Sequence, residues 1–80
     1  MTVRDAVKQR ILNLCEARNM TINKMALECG LTQSTLNSII NTGSNNPTLS
    51  TISKICAGLK ITVREFFDDE LFEDIEQEIL

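Results

Sequence analysis

Apolar residues recur at helical spacing along almost the whole chain. Val3, Val7, Ile11 and Leu14 follow at intervals of four, four and three, the stripe of a helix lying on a core. Thr2 is placed to cap that helix, with Asp5 three residues on as a short capping box, and the pattern stops near Asn19. Thr21 then opens a short helix carrying Met25, Ala26 and Cys29, and Gly30 closes it by permitting a left-handed turn. Thr32 caps a third helix with Leu36, Ile39 and Ile40 on its inner face, ending around Asn41 to Gly43. Asn46 can cap a fourth, with Pro47 at its first position and Leu49, Ile52, Ile55, Cys56 and Leu59 spaced for burial. Thr62 and Glu65 complete a capping box for a fifth, turning Val63, Phe66 and Phe67 inward. In the tail, Leu71, Phe72, Ile75 and Ile79 fall on one helical stripe with Leu80 beside them. The pattern predicts an all-α fold: a compact five-helix domain over residues 1–67, and an acidic amphipathic helix or tail over 68–80.

Composition narrows this picture. Eighty residues, 42% hydrophobic and 24% charged, make one small domain. No apolar run approaches membrane-spanning length and no signal-peptide core opens the chain, so a soluble cytoplasmic protein is expected. The net charge of −3 joins two unlike segments. Residues 1–67 hold all eight basic side chains and four acids, whereas residues 68–80 hold seven acids and no base. A mildly basic body thus carries a strongly acidic tail. Cys15, Cys29 and Cys56 form no C-x-x-C pair, and there is no His. They read as reduced, buried thiols, with no metal site and no cofactor. Without His, a phosphate loop or paired carboxylates, nothing points to an enzyme or a small-molecule substrate.

The segment "TINKMALECGLTQSTLNSII" is a short helix, a Gly turn and a second capped helix. Ala26 lets the two helices approach closely and Leu31 plugs the turn. This is the pattern of a helix-turn-helix, whose second helix lies in the major groove of DNA. Between Glu28 and Lys54 there is no charged side chain at all. With Leu36, Ile39 and Ile40 inward, the opposite face carries Ser34, Asn37, Ser38 and Asn41, and Gln33 joins them on the first turn. Such side chains offer donors and acceptors to base edges, where acids would be repelled by phosphates. Solubility alone would also account for an uncharged polar face.

From about Val7 to Phe67 the chain resembles the Xre/Cro family of phage-repressor-like domains. The matching residues are Thr21, Met25-Ala26, Gly30, Thr32-Gln33, Leu36, Ile39, Asn46-Pro47-Thr48, Leu59 and "ITVREFF". The resemblance implies sequence-specific binding of double-stranded DNA and transcriptional regulation, usually repression, by a homodimer on a palindromic operator. It assigns base reading to Gln33, Ser34, Asn37, Ser38 and Asn41, with Gln33 suited to an adenine edge. Thr21, Lys24, Thr32, Thr35, Ser44 and Asn45 become candidates for phosphate contacts, which position the protein without reading sequence.

Three features depart from the family. Ile22 stands where many relatives place Gln, "TGSNN" replaces a basic loop, and Cys15 and Ile40 replace an Arg–Glu pair seen in some relatives. Fewer cations release fewer counterions, so weak non-specific binding with a shallow salt dependence is expected. Lys60 also occupies a bend where relatives often have Gly, at a cost of about 1 kcal/mol if it is left-handed. For the tail two uses stay open: dimerisation through Leu71, Phe72, Ile75, Ile79 and Leu80, or folding back on its own core. Its seven acids suggest a third, shielding the basic face or holding a protein partner. The rival to a DNA-binding regulator is an interaction module, or an antitoxin-like protein, on the same fold.

Overall fold

Five threonines set where five α-helices begin. The computed structural model of the chain describes residues 1–42 and 47–77. Helix α1 spans Val3–Ala17, α2 Ile22–Glu28, α3 Gln33–Asn37, α4 Leu49–Leu59 and α5 Val63–Phe67. Thr2, Thr21, Thr32, Thr48 and Thr62 sit in extended conformation ahead of them, and each hydroxyl accepts the backbone N–H three residues on, at 3.0–3.3 Å. Each such cap typically contributes about 1 kcal/mol by satisfying an otherwise orphaned amide. Glu65 completes the box at α5 by accepting from the Thr62 N–H at 3.0 Å. The fourth helix departs from expectation: Thr48 caps it and Pro47 lies before the cap. Asn46 lies outside the described residues.

Three helix ends share one device. Asn19, Gly30 and Lys60 have φ of 52°, 67° and 60°, the left-handed turn that ends a helix. The next residue in each case is apolar and half-buried against the core (Met20, Leu31, Ile61), and the one after is a capping Thr. Met20, Leu31 and Ile61 donate their N–H groups to Cys15, Ala26 and Cys56 carbonyls at 2.9–3.0 Å, closing the turn before the next helix opens. A Cβ on Gly30 would meet nothing within 4 Å, so its backbone angle, not lack of space, favours glycine there.

The core is drawn from all five helices, and among the described residues every buried one is apolar. Phe66, Ile11, Met25, Leu36, Ile55 and Leu59 are its largest fully enclosed side chains. Three expected core positions lie outside it. Val3 is 46% exposed, Leu49 73% and Val63 43%. Each is the first residue of its helix, at the rim where the stripe enters the core, so periodicity alone overstates burial there. Cys15, Cys29 and Cys56 are buried free thiols. Burial raises all three above their ordinary value and keeps them protonated. At Gly58 helix α4 lies close against the end of α2. A Cβ there would stand 2.6 Å from Cys29 Sγ and 2.7 Å from its Cα.

The tail runs back along α1. Its sixth helical element is a single 3₁₀ turn, Glu70–Phe72, opened by Asp69, whose carboxylate accepts the Leu71 N–H at 3.0 Å. Residues 73–77 continue without helix, and Glu76 forms an isolated parallel bridge with Thr2. Arg10 anchors this arrangement. Its guanidinium donates to the Phe66 and Glu65 carbonyls at 2.7 and 2.9 Å and to Asp69 at 3.2 Å. Phe72 closes a triad with Phe66 and Phe67, the neighbouring rings 5.0 and 4.9 Å apart at steep angles.

Candidate nucleic-acid interface

Helices α2 and α3 meet across the Gly30 turn, and Leu31 half-fills the space beneath it. Cys15 and Ile40, where some relatives have an ion pair, are both buried in the common core. No charge is stranded by the exchange, which avoids the desolvation cost of a buried pair. Leu36, Ile39 and Ile40 fasten the second helix to that core. After Asn37 the helix widens into a π turn, Ser38–Thr42.

The outer face gathers the five base-reading candidates. Gln33, Ser34, Asn37, Ser38 and Asn41 together line one open depression of about 620 Å³. Their polar atoms are held by local bonds. Asn41 Nδ2 donates to Asn37 Oδ1 at 3.3 Å, and Ser38 Oγ donates to the Ser34 carbonyl at 3.0 Å. Gln33 Nε2 donates to Asn23 Oδ1 at 2.6 Å. Asn23 is a member of this surface that sequence reading overlooked. Ile22 stands at the position where many relatives carry Gln, and the neighbouring Asn23 amide supplies the partner to Gln33. An exposed amide early in α2, ten residues before Gln33, was the available signal.

Around this depression the phosphate candidates are less concentrated. Thr21 and Thr32 are engaged as caps, and the Thr32 and Thr35 hydroxyls lie 2.7 Å apart in mutual hydrogen bond. Lys24 pairs with Glu28 at 3.4 Å in an exposed i,i+4 bridge, which is weak and screened by salt. Ser44 and Asn45 lie outside the described residues. On the far side, Leu71, Phe72 and Ile75 are half-buried, with Phe72 packed on the core, and Ile79 and Leu80 lie outside the described residues. No helix among the described residues is long and apolar enough to cross a membrane.

An uncharged, amide-rich helix raised over a tight turn is a shape suited to the major groove. Comparison with solved structures finds the same shape in the crystal structure of prophage Lp1 protein 11, with a TM-score of 0.81 and 36% identity. The match covers 94% of this chain and 99% of that one. No curated protein matches the chain. The family model for the Cro/C1-type helix-turn-helix DNA-binding domain matches residues 10–71, most of the chain, and the protein therefore belongs to that family of DNA-binding regulators.

Proposed function

We propose that the protein is a sequence-specific transcriptional repressor that reads the major groove with the face of residues 33–41. The observation that carries this is the convergence of Gln33, Ser34, Asn37, Ser38 and Asn41 on one depression of the second helix. Gln33 reads an adenine edge, for which a side-chain amide is the matching donor and acceptor. Its bond to Asn23 holds it in place before DNA arrives. Ser34 and Ser38 contribute single bonds or bridging waters. Thr21, Lys24, Thr32 and Thr35, with Ser44 and Asn45, contact the phosphate backbone. On this reading the protein works in the cytoplasm as a homodimer on a palindromic operator. Half-sites about one helical turn apart, roughly 34 Å, follow from that symmetry. Leu71 and Ile75, with Ile79 and Leu80, supply the apolar contact between copies, whereas Phe72 is largely spent on its own core.

Selection of bound sequences from a random duplex pool at low salt, with Gln33→Ala alongside, tests the reading. Enrichment of a palindrome by the native chain, relaxed at one base pair per half-site in the variant, is the expected result. No enrichment by folded protein would refute it. One observation favours the rival, an interaction module or antitoxin-like partner: Lys24, the cation of α2, has Glu28 at 3.4 Å as a competitor for any phosphate. In that case the acidic tail holds a protein partner, and pull-down with the tail deleted would lose it.

A further inference from the structure

Gln33, Asn37 and Asn41 are spaced four residues apart. In an unbroken α-helix each such step drifts by about 40°, so Asn41 would stand roughly 80° round from Gln33. A π turn closes i→i+5 bonds and winds at roughly 4.4 residues per turn, so the second step turns back by about 30°. The π turn at Ser38–Thr42 thereby brings Asn41 back into line above Gln33, with Asn37 about 30–40° to one side of both. Asn37 and Asn41 stay within reach of each other, as i,i+4 neighbours do, and Asn41 Nδ2 donates to Asn37 Oδ1 at 3.3 Å.

The bond also changes what the two amides offer outward. Each amide has one acceptor oxygen and a two-proton donor. Pairing engages the oxygen of one and one proton of the other, so Asn41 Oδ1 stays wholly free as acceptor beside Asn37 Nδ2 as donor, while Asn41 Nδ2 keeps its second proton. Exchanging oxygen and nitrogen on both residues reverses the order and keeps the set. An adenine edge in the major groove shows one acceptor, N7, and one donor, the N6 amine, whereas guanine shows two acceptors.

We infer that Asn37 and Asn41 form a single, hydrogen-bonded adenine-reading unit, separate from the base read by Gln33. The unit rests on the DNA-reading proposal above. While the bond persists the two amides present their remaining groups side by side, so the two residues specify one position between them.

The test compares the native chain with Asn37→Ala, Asn41→Ala and the double variant. Each is put through selection from random duplex DNA and then titrated on the native chain's selected site. Circular dichroism confirms the helical fold of each variant. Both single variants relax preference at the same adenine and lose about tenfold in affinity, and the double loses no more than about threefold beyond the weaker single. Relaxation at two different base pairs, with losses compounding to about 100-fold, would overturn the unit while leaving DNA reading intact. Unchanged preference in both variants, with Gln33→Ala still relaxing its own base pair, overturns it too. A native chain that selects no sequence removes the DNA-reading proposal itself, and the unit with it.

Discussion

The reading half of this molecule, α2 with α3 and its π turn, and the opposite corner, α1 with α5 and the tail, are held together by different chemistry. On the reading side, apart from the exposed Lys24–Glu28 pair on α2, the surface bonds join neutral groups: Gln33 to Asn23, Asn41 to Asn37, Thr32 to Thr35. At the opposite corner one guanidinium, Arg10, gathers two backbone carbonyls and a carboxylate over the ring of Phe66. Neutral bonds at an exposed surface contribute little net stability, because water replaces them at nearly equal strength. A half-buried charge bound three ways contributes more, and so does an aromatic triad closed over the core. Ionic and aromatic contacts therefore gather where α1, α5 and the tail meet, whereas the outer face of α3 carries neutral bonds that water can replace.

The largest test of that division is Phe66→Ala. Phe66 is fully buried and central to the triad, so its removal is expected to cost about 3–5 kcal/mol, read as a lower midpoint in urea. By contrast Gln33→Ala leaves that midpoint nearly unmoved. Equal losses at the two sites would erase the distinction between the halves. Gly58→Ala probes the joint instead, since α4 meets α2 of the reading half there. The added methyl must displace Cys29 and the α2 backbone, for an expected loss of roughly 1–3 kcal/mol together with a shift in α3 amide resonances. A loss of stability with an unmoved α3 spectrum would show the halves to be less coupled than the packing implies. Smallest is Arg10→Met, which keeps the stem's packing and removes the three hydrogen bonds. A cost near 1–2 kcal/mol is expected, with faster hydrogen exchange confined to Leu71 and Phe72. Exchange rising equally in α2 would place the latch in the reading half's support as well.

Much of this was legible before any coordinates. Four of the five caps, Thr2, Thr21, Thr32 and Thr62, announce themselves as a short polar residue before an apolar stripe, and each caps the helix expected of it. The fourth helix shows the limit: Asn46, Pro47 and Thr48 are three adjacent start signals of similar local energy, and the helix takes Thr48. The left-handed ends are similar. Gly30 was readable because glycine has no other obvious use there, and Lys60 only because relatives place glycine at that bend. Asn19, with the same φ sign, carried no expectation beyond a fading stripe. The uncharged reading face was plain in composition, and its five members do converge. The π turn and the Asn23 partner were not plain, because each depends on how helices settle against one another.

Sequence by itself determined where four of the five helices start, which side of each is apolar, and that the second helix of the helix-turn-helix would present amides and hydroxyls without charge. Those are consequences of caps and periodicity acting within a few residues. Tertiary structure alone decided what Arg10 binds, where Gln33 finds its partner and which way the tail runs. Arg10 meets Asp69 across 59 positions of chain and Gln33 meets Asn23 across ten. Seven acids in the tail were equally eligible partners for any base in the body. Local energies could not choose among them, and the choice fell to whichever carboxylate and carbonyls the end of α5 and the tail brought within reach of the middle of α1.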